Sequence, residues 1–336
     1  MFKEIIDPDL SGRNSFRVPQ RAARLIEFET AEDLRQLFAG GTVGEWFVLG
    51  GGNNILFTQD YPSTLLHCTA RGIRTVERTD DHATVEADAG TEWDDLVDWS
   101  VRHGLWGLEN LSLIPGTVGA APVQNIGAYG CEAKDAIVQV EMFCPETGNV
   151  LILDREHCGF GYRDSIFKRS LQGRAIITSV RFRLGTAPAP RLDYGDVASE
   201  VARRGEPTLH NIREAICAIR RTKLPDPAQT GNAGSFFKNP VVPRSTAERL
   251  LEQHPDMPHY PTADPDRIKL AAGWLIDRTG LKGWSLGRVG IHPRQALVVV
   301  NLGGAGGGEI LAFAGTIRQR VLERFGVEIE PEVNIL

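Results

Sequence analysis

The apolar positions of this chain switch repeatedly between a helical period and a two-residue period, so helices and strands are interleaved rather than segregated. Behind Thr30, Leu34, Leu37 and Phe38 share one helical face and Gly40 offers a stop, which predicts a short capped helix. GEWFVLGGGNNILF reads differently: two apolar runs flank three glycines and two asparagines, the pattern of a strand, a tight loop and a second strand or extended segment. Residues 73–90 predict two strands, and Thr91 is placed to cap a helix whose Trp93, Leu96, Val97 and Val101 keep helical spacing up to Gly104. IVQVEMFCPETGNVLILD predicts a hairpin turning at PETG, and AIITSVRFRL a further strand. In the second half, NIREAICAIRRTK and GGEILAFAGTIRQRVLERFG carry helical apolar stripes, Ser245 and Glu248 are spaced as a capping box, KLAAGWLIDRTG reads as a helix stopped by Gly280, and QALVVVN as a buried strand. The class is therefore α+β, with GTAPAPRLDYGD (185–196) the best linker by composition.

One stretch obeys neither period. Residues 107–130, GLENLSLIPGTVGAAPVQNIGAYG, hold five glycines and two prolines but almost no charge, and a low-charge, glycine-rich coil of this length usually lines something. It belongs to a wider excess: 36 of the 336 residues are glycine, more than folding alone requires. The formal charge of −6 and the lack of any long basic run argue against a nucleic-acid partner. Five scattered cysteines without CxxC spacing suggest neither a zinc site nor a disulfide framework, and no histidine pair has metal spacing, so no metal is expected. The acidic N-terminus and the lack of a long apolar run point to a soluble cytoplasmic protein with no membrane span.

LGGGNN (49–54) can turn successive backbone N–H groups toward a phosphate or can simply be a hairpin turn; without a following helical period or a P-loop lysine it is neither a Rossmann nor a Walker loop. IPGTVGAAPVQNIGAYG (114–130) offers a second bare-backbone surface, and two such loops suit a long diphosphate cofactor as well as they suit a packed connector. By contrast GGAGGG (303–308) reads as a flexible connection. GYRDSIFK (161–168) by itself reads as a surface turn. In GNAGSFFKNP (231–240) Ser235 lies between glycine and two phenylalanines, where a prepared hydroxyl can donate a proton; the context is not that of a hydrolase elbow.

Taken together and in order, VLGGGNNILF, IPGTVGAAPVQNIGAYG, YRDSIFK, KLPDP with GNAGSFFKNP, AAGWLID with GLKG, and the terminal EPEV resemble the UDP-N-acetylenolpyruvoylglucosamine reductase family, type I, from about residue 17 to the end. The resemblance implies an FAD-binding domain of the vanillyl-alcohol-oxidase type in two lobes (about 1–70 and 71–190 of a domain 1–190), a substrate domain over 205–330, and a tail 331–336 carrying Glu332. It implies that NADPH reduces non-covalently bound FAD, and that UDP-N-acetylglucosamine enolpyruvate is then reduced to UDP-N-acetylmuramate in peptidoglycan precursor synthesis, a function tied to cell-wall biogenesis, cell shape and division. A monomer is expected.

Carried over position by position, the resemblance assigns catalysis to Arg163, Ser235 and Glu332, with Arg163 polarising the substrate carboxylate, Glu332 working with it, and Ser235 as general acid at C2. It assigns flavin binding to Gly50, Gly51, Gly52, Asn53, Asn54 and Ile55, to Pro115, Gly116, Thr117, Val118 and Gly119, and to Ala121, Asn125 and Gly127. Tyr129, Tyr194, Arg220, Lys223 and Asn239 are the implied UDP-sugar residues, Arg and Lys meeting the diphosphate and Tyr194 folding over it. The chain departs from the family pattern in having APVQN where a serine often precedes the proline, and in ending four residues after Glu332. Two other readings are an oxidase of the same flavin fold and a non-catalytic nucleotide-sugar binder. Loops 49–57 and 112–130 contain no His or Cys to tether a flavin, and Arg163, Ser235 and Glu332 are all present.

Overall fold

A computed structural model describes all residues except Thr42. By internal contacts the chain forms two units, each assembled from three stretches: Met1–Pro8, Ala22–Gly52 and Pro62–Thr222 in the first, Asp9–Arg21, Asn53–Tyr61 and Lys223–Leu336 in the second. Both mix helix and strand, as the alternating periods require.

The first unit holds helices α1 (Ala31–Ala39), α2 (Trp93–Arg102), α3 (Val197–Ala202) and α4 (Leu209–Lys223). Thr30 caps α1 reciprocally with Asp33. A five-stranded antiparallel sheet, in the order 149–154, 137–144, 176–185, 82–88, 73–78, packs its inner face on α2, where Trp93 meets Phe182 edge to face at 5.8 Å. A four-stranded sheet orders Lys3–Ile6, Ala22–Phe28, Tyr61–Cys68 and Trp46–Val48. The apolar sides of strands and helices merge into one core that includes Leu34, Leu66, Val85, Leu96, Phe143 and Val180.

The second unit carries α5 (Arg244–Gln253), α6 (Ala272–Arg278) and α7 (Gly307–Phe325), with a four-stranded and a three-stranded sheet. Ile310, Phe313, Ile317, Val321 and Phe325 are the buried stripe of α7, and Phe313 stacks on Trp284 at 4.9 Å. Ile55–Leu56 pairs in parallel with Asn334–Ile335, so the C-terminal residues are held as a strand, and Thr58 donates N–H and hydroxyl bonds to the Leu336 carbonyl. No helix among the described residues is long and apolar enough to cross a membrane.

Several local expectations change. Thr91 does not cap α2: Glu92 holds the N-cap position, while Thr91 is buried and its carbonyl accepts from Val118 N–H, tying the helix start to the glycine-rich loop. Ser245 lies inside α5 rather than at its cap, because strand Val241–Pro243 runs straight into the helix and Pro243 occupies the N-cap. In KLAAGWLIDRTG only the second part is helix, since Lys269 and Leu270 pair with Val241, Tyr260 and His259 in a sheet. The two apolar runs around LGGGNN are not a hairpin: Trp46–Val48 pairs with the strand 61–68, and Ile55–Leu56 with the C-terminal strand. GGAGGG is not a loose connection, because Asn301 Oδ1 accepts from both Gly303 and Ala305 N–H and Gly307 abuts the Phe57 backbone.

Candidate active site

The stretch 107–130 is ordered despite its lack of period. It contains two short 3₁₀ turns, Glu109–Leu111 and Val118–Ala120, and a tight hairpin between Gly127–Ala128 and Cys131–Glu132. Backbone bonds from Val118 to Thr91, Gly119 to Ala89 and Trp93 to Gly116 sew it to the start of α2. The two glycine-rich loops meet here. A β-carbon at Gly50 would sit 2.9 Å from Thr117 Oγ1 and 3.2 Å from Ala120 Cβ, and one at Gly119 would sit 2.7 Å from Ala89 Cβ. Glycine thus lets the first loop approach the Thr117 and Ala120 side chains at position 50, and lets the second approach the Ala89 backbone and methyl at position 119. Gly116 adopts φ +128° and faces open space, and among the described residues the N–H groups of Gly50, Gly52 and Gly116 make no hydrogen bond within the chain. Free donors on bare, closely apposed backbone fit a pyrophosphate-bearing cofactor such as FAD. Pro115, Thr117, Val118 and Ala121 lie in the same loop, Val118 and Ala121 in the core. Asn125 is fully buried and acts as a brace: its amide donates to Glu132 and to the Gly161 carbonyl and its oxygen accepts from Lys134 N–H. Asn53, Asn54 and Ile55 belong to the second unit, where Asn54 donates to the Glu332 carbonyl at 3.1 Å and Asn334 returns a bond to the Asn54 carbonyl.

GYRDSIFK is more than a surface turn. Ser165 is fully buried, caps the turn Ile166–Lys168 and donates to the Val123 carbonyl at 2.6 Å. This brings Arg163, half-buried, beside the hairpin, where its Nη2 donates to the Gly127 carbonyl at 2.7 Å. Gly127 can carry no side chain, since a β-carbon would lie 2.8 Å from the Cys131 carbonyl and 3.2 Å from the Arg163 guanidinium. Four non-glycine residues of this region, Leu113, Asn125, Tyr129 and Arg163, hold φ between 45° and 59°. Such left-handed backbone is costly for a side-chain-bearing residue and gathers where surrounding structure enforces a functional geometry.

A second cluster of the first unit joins α2, α4 and the loop. Tyr129 and Tyr194 meet edge to face at 6.0 Å, and Arg220 from α4 donates its Nε–H to the Leu113 carbonyl at 3.1 Å. Burial pulls the Arg220 pKa below its ordinary value against the opposing pull of Tyr129, Cys217 and Asp94, and burial raises that of Tyr129 while the Arg220 charge tempers the rise. Asn110 spans Tyr129 and the Tyr194 segment by donating to the carbonyls of Tyr129 and Arg191. Pattern reading misses Asp94, Asn110 and Arg213. Asp94 and Arg213 look like ordinary helix-surface charges 119 positions apart, yet they form a two-pronged ion pair at 2.7 and 2.9 Å.

In the second unit Ser235 is half-buried and precedes two fully buried phenylalanines, Phe236 and Phe237, whose rings lie 5.0 Å apart. Glu332 N–H donates to the Phe236 carbonyl at 2.8 Å, and Lys238 N–H to Glu330, so the Ser235 segment and the C-terminal segment run together as paired backbone. Ser235 and Glu332 are thus brought together within one unit, and the shortness of the tail does not leave Glu332 on a loose end. Asn239 accepts from Ala272 N–H at 2.9 Å and so starts α6, while Lys223 ends α4.

Two family models match the chain: an FAD binding domain over residues 23–154 and the UDP-N-acetylenolpyruvoylglucosamine reductase C-terminal domain over 226–336. Curated proteins described as UDP-N-acetylenolpyruvoylglucosamine reductase are similar over nearly the whole length. Those of Chromobacterium violaceum and Azoarcus sp. are 49% and 51% identical, covering 98% and 97% of this chain and 98% and 96% of their own. The crystal structure of the reductase of that name from Thermus caldophilus matches with TM-score 0.69 and 25% identity, over 100% of this chain and 98% of the other. The expected α+β class with an FAD-binding domain is borne out.

Proposed function

Because the chain belongs to the UDP-N-acetylenolpyruvoylglucosamine reductase family, we propose that it reduces UDP-N-acetylglucosamine enolpyruvate to UDP-N-acetylmuramate for peptidoglycan synthesis, using NADPH as electron donor and non-covalent FAD as carrier. The observation that supports this reading best is the retention, on fixed backbone, of the three groups this reduction needs: a guanidinium, a hydroxyl and a carboxylate.

When bound, the flavin supplies the hydride that adds to C3 of the enolpyruvyl group. That addition drives electron density through C2 into the substrate carboxylate, which water at random orientation stabilises poorly. Arg163 answers with a positive charge whose orientation is set in advance by its bond to Gly127, and Glu332 works with it. Ser235 donates the proton that C2 requires, completing the lactyl ether. Tyr129, Tyr194, Arg220, Lys223 and Asn239 bind the UDP-sugar, and the bare backbone at 50–52 and 115–119 holds the flavin.

The test is to purify the protein, measure bound releasable flavin, and follow NADPH oxidation with and without the enolpyruvyl substrate. A protein that neither contains FAD nor takes it up overturns the reading. Ser235→Ala is expected to leave flavin reduction by NADPH intact and to slow reoxidation by substrate by about 10² to 10⁴-fold; equal losses in both half-reactions would refute the general-acid role.

A further inference from the structure

The residues that hold Arg220 in place lie outside the set assigned above, and their arrangement is specific. We propose that Asp94 is a positioning residue for Arg220, acting through the backbone of Leu113 to aim the guanidinium at the diphosphate of the nucleotide-sugar. The inference rests on the reading of Arg220 as a diphosphate-binding group.

Three observations carry it. First, Arg220 Nε donates to the Leu113 carbonyl at 3.1 Å, so the guanidinium is anchored on the Leu113 backbone. Second, Leu113 has φ 59°, a conformation that a leucine does not adopt unaided, so something must hold it there. Third, the Leu113 N–H is taken by Asp94 Oδ1, from the first turn of α2, and Asp94 is itself clamped by both terminal nitrogens of Arg213 while Arg213 Nε reaches Asp98 at 3.3 Å. The chain of contacts thus runs from α2 through one left-handed residue, Leu113, to α4. Burial alone would raise the Asp94 pKa, but Arg213, the Leu113 N–H and Arg220 outweigh it and hold the carboxyl below its ordinary range, so it stays ionised at neutral pH.

The device also solves an electrostatic problem. A carboxylate paired directly with Arg220 would compete with an incoming diphosphate for the same N–H groups. Here the carboxylate is occupied by Arg213, and Arg220 meets the neutral Leu113 carbonyl and the Tyr129 side chain rather than a carboxylate, so the acidic group orients the guanidinium without pairing with it directly.

Geometry and charge can be separated with two substitutions. Asp94→Asn keeps an oxygen for the Leu113 N–H and removes the charge; Asp94→Glu keeps the charge and carries the carboxylate one methylene further out. The binding of UDP alone is measured by titration calorimetry on the flavin-loaded protein, alongside KM for the enolpyruvyl substrate, kcat, and the rate of flavin reduction by NADPH. Positioning through Leu113 requires that Asp94→Asn stay within about twofold of wild type in UDP affinity, and that Asp94→Glu weaken UDP and raise KM about tenfold, the loss expected when one charge-assisted hydrogen bond is misdirected. kcat and flavin reduction stay unchanged in both. An Asp94→Asn variant that loses UDP affinity beyond that margin, or an Asp94→Glu variant indistinguishable from wild type, overturns the inference. Arg220→Lys is the separate control: UDP affinity equal to wild type would overturn the reading of Arg220 itself, whatever the Asp94 variants do.

Discussion

Two adjacent glycines at the start of α7 should respond in opposite directions to the same substitution. At Gly307 a β-carbon would run into the Phe57 carbonyl oxygen and would lie 2.7 Å from the Phe57 carbonyl carbon and 2.8 Å from Thr58 Cα; at Gly308 it would meet nothing within 4 Å. The three obstacles at 307 are backbone atoms, so no side-chain rotation relieves the overlap, and either the helix or the strand after Leu56 must move. That strand is pinned by Thr58, which donates twice to the Leu336 carbonyl, at 2.7 and 2.8 Å, and by the pairing of Ile55–Leu56 with Asn334–Ile335. Moving it breaks the pairing that holds the C-terminal segment. Gly307→Ala should therefore cost about 3 kcal/mol, the upper end for overpacking, and lower Tm by roughly 6–12 °C. Gly308→Ala removes unfolded-state freedom from an open helical position and should stabilise by about 0.5–1 kcal/mol, a rise of roughly 1–4 °C. Differential scanning calorimetry of the two variants beside wild type decides the matter. Equal shifts, or a neutral Gly307→Ala, would refute the idea that this glycine run is a packing requirement.

Two further outcomes can be checked independently. Gly119→Ala, which would press a methyl to 2.7 Å from Ala89 Cβ, should push the loop away from the segment at Ala89 and reduce the flavin-to-protein absorbance ratio of the purified protein by about tenfold, whereas retention of full flavin content would remove loop 115–119 from the cofactor site. Asp33 is 4% exposed at its side chain; burial raises its pKa, but the Met1 ammonium, the N–H groups of Glu29 and Thr30 and the Thr30 hydroxyl outweigh that and depress it from 3.8 to about 2. Because the folded pKa is the lower one, its contribution is present above about pH 4 and is lost as pH falls from there toward 2. Asp33→Asn should cost about 1 kcal/mol at neutral pH, as for loss of a helix cap, and its denaturation curve should converge with wild type near pH 2; a constant gap down to that pH would exclude the carboxylate as the cause.

Much of the chemistry is legible in the primary structure because it is carried by short contiguous motifs. NIGAYG, YRDSIFK and GNAGSFFKNP each place several chemically distinct groups within a few positions, and although YRDSIFK by itself reads as a surface turn, the motifs taken in order resemble one family and so suggest a site. Helices with a clean apolar stripe, such as α1, α4 and α7, are legible for the same reason: periodicity is a local property, and both the Thr30–Asp33 box and the left-handed Gly326 at the end of α7 are written next to the residues they cap. Boundaries were less so where a helix begins inside a tertiary contact, as α2 does behind a Thr91 whose backbone is committed to the glycine-rich loop.

What the amino-acid order determined by itself was the α+β class, the family, and the identity of the groups able to bind a diphosphate cofactor or move a proton. What only the tertiary structure decided was how those groups are held. Each unit collects three separated stretches of chain, and the pairing of Asn54 with Glu332, of Ser165 with Val123 and of Asp94 with Arg213 joins residues 278, 42 and 119 positions apart. No local pattern encodes such contacts, because a helix-surface aspartate or an ordinary glycine looks the same in sequence whether it faces water or another backbone. The left-handed peptides at Leu113, Asn125, Tyr129 and Arg163 show the same limit, since side-chain-bearing residues adopt that conformation only when distant contacts outweigh its local cost.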